Sequence, residues 1–314
     1  MNSESQDMYT GIFPVIPTLF DSQGDLDLAA QKRVIEFVFA SNIQGLVFPG
    51  VASESPYLSD AERTTLLTQL VREVDSRLPI IGGASAPTAE EASRNAETLR
   101  QHGIETAMIM APAQLGEHAE AHIAFFRAIA QNVPDLRIML QNAPSPTGAG
   151  LNAEELIALI QAVPSIRYVK EERLPSGPTI THLKENAPQN LLGIFGGGGA
   201  RHIIDELDRG ADGAMPAAEL ADLHAAIFKA HQQKKGVLAR SLYCQSLPLL
   251  TLQAIYRMRL TKQVLRKRGV ENSGEVRAAL PEIDPSTSAL IDTLVDDLRD
   301  YSLQSESFEW TQLD

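Results

Sequence analysis

The chain has 314 residues, of which 44% are hydrophobic and 21% charged, and its formal net charge is -13. This length and composition support a large buried core and exclude a disordered chain. The acidic balance argues against a binder of nucleic acid or of anionic membranes, since both need basic patches.

A single cysteine, Cys244, rules out an intramolecular disulfide and points to a reducing, cytoplasmic setting; Cys244 itself reads as a small buried side chain. Residues 1–10 lack the basic end and apolar core of a signal peptide, and no apolar run approaches a membrane span.

From residue 12 onwards, short β-like runs alternate with amphipathic helical stretches. Strands are predicted at 12–16, 45–48, 79–82, 107–110, 137–140, 167–170, 192–195 and 213–215. Helical patterns fill the gaps, at 27–40, 59–74, 88–102, 117–131 and 152–161, and Ser59 with Glu62 has capping-box spacing. Eight such repeats suit a closed (β/α)8 TIM barrel over residues 12–234, after an N-terminal segment at 1–11. Residues 235–314 read as a C-terminal helical extension with a polar break at 269–284 and a polar, acidic tail after Tyr301, where Phe308 and Trp310 are the apolar anchors.

Barrel chemistry sits at the carboxyl ends of the strands. The sixth predicted strand ends Tyr168-Val169-Lys170-Glu171-Glu172, and its period of two puts Tyr168, Lys170 and Glu172 on one face and Val169 and Glu171 on the other. Lys32, Lys184, Lys229, Lys234, Lys235, Lys262 and Lys267 all fall in polar, helix-like or turn-like contexts that suit solvated amines. Lys170 alone follows an aromatic and β-branched run. It either pairs with a neighbouring glutamate at a strand end or serves as a desolvated nucleophile. At the unperturbed pKa of roughly 10.4 only about one amine in 2,500 is neutral at pH 7, and bringing the pKa to about 7–8 takes roughly 4 kcal/mol. His118 and His122 read as solvated surface histidines, because His-Ala-Glu-Ala-His is not the zincin order; no metal site is expected.

The landmarks Gly11-Ile12-Phe13-Pro14 with Pro17-Thr18, Glu54 followed by Leu58-Ser59 and Glu62-Arg63, Asn142-Ala143-Pro144 with Thr147-Gly148, Lys170, and Gly210-Ala211-Asp212-Gly213 span nearly the whole chain. In their order and spacing the chain resembles the dihydrodipicolinate synthase and N-acetylneuraminate lyase superfamily of Schiff-base aldolases and dehydratases. The resemblance implies that Lys170 forms an imine with a small 2-oxo acid, that no cofactor takes part, and that the protein is a homodimer or homotetramer.

Three departures mark this chain, the first being Ala113-Gln114 where the family usually has a tyrosine pair after the fourth strand. Gly50-Val51-Ala52-Ser53-Glu54 stands where the family usually has a Gly-Thr-Thr-Gly-Glu-like carboxylate loop, and Gln141 stands where it usually has a catalytic tyrosine. The pattern looks closer to the 2-keto-3-deoxy-L-arabinonate dehydratase branch. An iminium at C2 acidifies C3, and the resulting enamine can expel the C4 hydroxyl; retro-aldol cleavage needs that hydroxyl deprotonated, which an amide cannot do.

The expectation is therefore a dehydratase with Lys170 as nucleophile and Glu172 as acid or base. Ser53 and the Ala52 loop amides are expected at the substrate carboxylate, Gln141, Asn142 and Gly196 at the rest of the substrate, and Glu54 as a support of the loop. The Gly196-Gly197-Gly198-Gly199 run reads either as a phosphate cradle or as close packing over the site. A pyruvate-releasing retro-aldol lyase and a non-catalytic 2-oxo-acid-binding barrel are the alternatives.

Overall fold

A computed structural model of the chain describes residues 8–307. Eight parallel strands run β1 Gly11–Ile12, β2 Leu46–Val47, β3 Ile80–Gly83, β4 Thr106–Met110, β5 Arg137–Asn142, β6 Ile166–Glu171, β7 Gly193–Gly196 and β8 Gly213–Ala214. They are ordered β1-β8-β7-β6-β5-β4-β3-β2, and a Val15–Val47 bridge brings the first and last together. The amide of Val47 donates to the Pro14 carbonyl and that of Ile16 to the Val47 carbonyl, both at 3.0 Å, so no open edge is left there. The result is a (β/α)8 barrel.

The helices between the strands are α1 Leu28–Phe39, α2 Asp60–Val74, α3 Ala89–Gln101, α4 Ala119–Asn132, α5 Ala153–Ala162, α6 Ser176–Asn186, α7 Ile203–Asp208 and α8 Ala221–Gln232. Their starts follow local chemistry. The Ser59 hydroxyl accepts from the Glu62 amide while the Glu62 carboxylate accepts from the Ser59 amide, and Asp27, Thr88 and Asn152 cap α1, α3 and α5.

Two apolar layers follow from the strand period. Phe13, Met108, Met139, Tyr168, Phe195 and Met215 fill the barrel, and the ring of Tyr9 stacks 4.9 Å from that of Tyr168 at the amino end. Leu67, Leu99, Phe126, Leu159, Val169 and Ile180 belong to the larger layer between strands and helices.

Three more helices, α9 Gly236–Tyr256, α10 Met258–Lys267 and α11 Pro285–Ser307, pack on one another through Leu249, Leu260, Val264 and Ile291. The expected tail anchors Phe308 and Trp310 lie outside the described residues. No helix among the described residues is long and apolar enough to cross a membrane.

Three sequence expectations are corrected. Cys244 is exposed, because it falls on the outer face of α9. His122 is fully buried inside α4, where its Nε2 lies 2.9 Å from the Gly116 carbonyl, since the fourth position of that helix faces the barrel. Lys262 is 1% exposed: it shares the inner stripe of α10 with Met258 and Leu265.

Candidate active site

The β6 pleat turns Tyr168 into the inner layer and Val169 into the outer one, so Lys170, two residues on, projects from the inner face at the carboxyl end of the strand. Lys170 is 4% exposed, and its Nζ lies 2.9 Å from Oε1 of Glu172. Gln141, paired with Lys170 in the β5–β6 register, donates from Nε2 to Oε2 of Glu172 at 2.8 Å. Burial alone would raise the Glu172 carboxyl. The Lys170 charge, the hydrogen bonds from Gln141 and Lys170, and the Gly198 amide outweigh it and hold the group below its ordinary value. An ammonium and a carboxylate therefore face one another, each within reach of the same bound atom.

They border a cavity of about 550 Å³ at the carboxyl end of the barrel. Its walls include Ala52 from the loop after β2, Thr147 from the loop after β5, Gly198 and Gly199 from the loop after β7, and Arg257 from the α9–α10 junction. The glycine run has a packing reason: a Cβ on Gly197 would run into Cγ of Glu172. Only a glycine lets that carboxylate sit beside Lys170.

Several residues expected at the substrate are elsewhere. Ser53 is fully buried, and its hydroxyl donates to the Ile16 carbonyl at 2.5 Å while accepting from the Gly50 amide at 2.9 Å. It folds the second loop and does not line the cavity; Ala52 and Val51 do. Asn142 points to the outer side, where it donates to the Leu151 carbonyl and both oxygens of Glu171 and accepts from the Leu151 amide. Strand alternation explains this: Gln141 is inward, so Asn142 cannot be. Gly196 packs against Glu206, and Gly198 and Gly199 line the cavity in its place. Gln141 is buried behind Glu172 and reaches the cavity only through it.

Glu54 is 1% exposed in the left-handed region, with φ of 56°. Its Oε1 accepts from Lys262 Nζ at 2.7 Å, and its Oε2 from the amides of Arg277 and Ala278 at 2.7 and 2.8 Å. The C-terminal extension thus clamps the loop that carries Val51 and Ala52. Lys262 escaped sequence reasoning, although its four-residue spacing from Met258 on an apolar stripe was a usable signal.

Buried carboxyls escaped it as well, Glu171 and Glu206 beside the site among them. Burial pushes Glu171 up to about 8, with Glu172 adding to it and Asn142 and the Arg173 amide opposing it. Burial likewise pushes Glu206 up to about 7, with Asp205 and Glu172 adding, although Ser176 Oγ donates to it at 2.8 Å. Both side chains stand directly behind the strands that carry the site.

Comparison with known proteins agrees with the fold. Residues 8–296 match the model of the Dihydrodipicolinate synthetase family. The chain is 31% identical over 294 residues to the L-2-keto-3-deoxyarabonate dehydratase of Azospirillum brasilense, covering 92% of this chain and 94% of the relative. It is 26% identical over 254 residues to a probable 2-dehydro-3-deoxy-D-pentonate aldolase of Escherichia coli K12, covering 79% and 82%. Among solved structures it superposes on a dihydrodipicolinate synthase from Rhodopseudomonas palustris with a TM-score of 0.85, at 26% identity, covering 92% of this chain and 97% of that one.

Proposed function

The chain belongs to the Dihydrodipicolinate synthetase family, whose members are lyases, and on that premise we propose that it is a Schiff-base hydro-lyase acting on a 2-keto-3-deoxy sugar acid. The class includes 2-keto-3-deoxy-L-arabinonate, whose product would be 2-oxoglutarate semialdehyde.

One observation carries the reading: Glu172 is 2.9 Å from Lys170 while Gln141, an amide without an exchangeable acid proton, occupies its other oxygen. Glu172 takes a proton from Lys170, the freed amine attacks C2, and the protonated carboxyl returns that proton as the carbinolamine loses water. The iminium then acidifies C3. Glu172, again ionised, removes a C3 proton, and the enamine expels the C4 hydroxyl, which leaves as water with the proton that Glu172 has just accepted. Gln141, at the position where the family usually has a tyrosine, cannot take the C4 hydroxyl proton, which supports dehydration over carbon–carbon cleavage. The amides of Val51 and Ala52 are the candidates for the C1 carboxylate, as neither loop residue brings a charge of its own.

The test is intact-mass analysis after borohydride reduction with 2-keto-3-deoxy-L-arabinonate and with pyruvate, beside product analysis. Wild type should trap both acids, Lys170→Ala neither, and Glu172→Gln should lose roughly 100- to 10,000-fold in turnover while folded. Pyruvate among the products of the sugar acid would sink the dehydratase reading, and so would full turnover by Glu172→Gln.

A further inference from the structure

Arg173, Arg201 and Arg257 all line the cavity that holds Lys170, in a chain with 40 acidic residues against 27 basic ones. Three other arginines of the C-terminal extension have carboxylates: Arg259 meets Glu282 at 2.5 Å, Arg268 meets Asp222 at 2.5 Å, and Arg277 meets Glu62 at 2.6 Å. Arg201 does not. It is half-buried, and its guanidinium donates only to uncharged oxygens, the Gln253 amide at 3.1 Å and the Leu250 carbonyl at 3.4 Å. Burial lowers its affinity for its proton, and repulsion from Arg257 lowers it further, against a weaker pull from Glu172 and Glu219.

Arg257 is the hinge between α9 and α10, with φ of 48° and ψ of -121°, a conformation that glycine adopts freely and an arginine only under strain. Among the described residues it too has no carboxylate within ion-pair distance. Two guanidinium groups are thus held near one another at the edge of a cavity with no counter-ion between them. The Lys170–Glu172 pair neutralises itself, and against the three arginines the cavity lining holds one further carboxylate, Glu117, so the wall is net positive.

We propose that Arg201 and Arg257 form a second anion subsite, so that the substrate is a 2-oxo acid carrying a further carboxylate or phosphate at the end remote from C2. This rests on the Schiff-base reading above and narrows it to sugar acids with a second anionic end, which makes 2-keto-3-deoxy-L-arabinonate, ending in an alcohol, a weaker ligand than such a dianion. The pair sits on the wall built from the loop after β7 and the α9–α10 junction, whereas Val51 and Ala52 come from the loop after β2. A substrate with its C2 on Lys170 can therefore place one anionic end on each wall. A planar guanidinium pairs with either group through two parallel hydrogen bonds, and it gains nothing comparable from a terminal alcohol.

The test is the half-saturating concentration for borohydride trapping on the full chain. 2-Oxoglutarate is compared with 2-oxopentanoate, 2-oxoadipate with 2-oxohexanoate, and 2-oxo-4-phosphonobutanoate stands as the phosphate-like arm. At least one dianionic acid should trap at a concentration tenfold or more below that of its monocarboxylate partner. Arg257→Gln and Arg201→Gln should each bring that ratio towards one, and whichever of the carboxylate and phosphonate arms shows the larger ratio identifies the distal group.

Ratios near one in the wild type, with pyruvate still trapped at Lys170, would overturn the subsite and leave the Schiff-base reading intact. Weaker trapping of pyruvate itself in Arg257→Gln would assign the pair to the C1 carboxylate and overturn the subsite too. No trapping of any 2-oxo acid would overturn both. Because the wild-type ratio decides without any substitution, a poorly folding Arg201 variant does not obscure the answer.

Discussion

Replacing Lys262 with methionine tests whether the C-terminal extension holds the second loop of the barrel. The Lys262 ammonium is 2.7 Å from Glu54, and the two side chains are 1% and 0% exposed. At that distance the Coulomb attraction is about 6 kcal/mol at an effective dielectric of 20, and desolvation of both ions offsets much of it. The substitution retains volume but leaves Glu54 buried without its cation and with two backbone donors, a change that costs about 3–5 kcal/mol.

By contrast, Arg277 and Glu62 are 25% and 24% exposed, and breaking that pair should cost about 1 kcal/mol or less. Urea denaturation of wild type, Lys262→Met, Glu54→Gln and the double variant gives the coupling directly. The double variant should recover much of the loss, because it buries no lone charge. A Lys262→Met loss below about 1 kcal/mol, or strictly additive single effects, would refute the clamp. In Lys262→Met the Michaelis constant should also rise more than turnover falls, since Val51 and Ala52 ride on the clamped loop.

Gly197→Ala should cut turnover at least tenfold and also slow imine trapping of pyruvate, because the added Cβ displaces Glu172, which relays the proton in both steps; paired steady-state and trapping-rate measurements check it. Stability should fall as pH rises from about 4.5 through 7, because Glu206 stays protonated to about 7 in the fold and loses its proton earlier in the unfolded chain. The 2.5 units between 4.5 and about 7 amount to about 3 kcal/mol, present below pH 4.5 and lost above about 7, and Glu206→Gln should remove that share of the slope while the shares of Glu171 and Glu219 remain.

The strands and helices were legible because each buries a face with its own period. The five residues from Tyr168 to Glu172, with a period of two, sufficed to put Tyr168 and Val169 on opposite faces, inside the barrel and outside it, and the same rule turns Lys170 towards the cavity. Ser59 and Glu62 announced α2 through chemistry contained within four residues. These are local properties, and a sequence carries them whole.

Partners were not legible in the same way. Asn142 follows Gln141 directly, yet one spends its amide on Leu151 and Glu171 and the other on Glu172, a division that depends on which strand lies alongside. Ser53 turned out to hold Ile16 and Gly50 because the loop folds back on the first strand. Lys262 is 208 positions from Glu54, and Arg201 and Arg257 are brought to one cavity by the packing of α9 on the barrel.

The sequence by itself determined the barrel and the strand face shared by Tyr168, Lys170 and Glu172, since each follows from a short-range period of the backbone. Only the tertiary structure decided which polar groups are spent on holding loops, which carboxyls are pushed up by burial, and which arginines are left facing the cavity. Those outcomes are set by distances between segments far apart in the chain, and no local pattern encodes them.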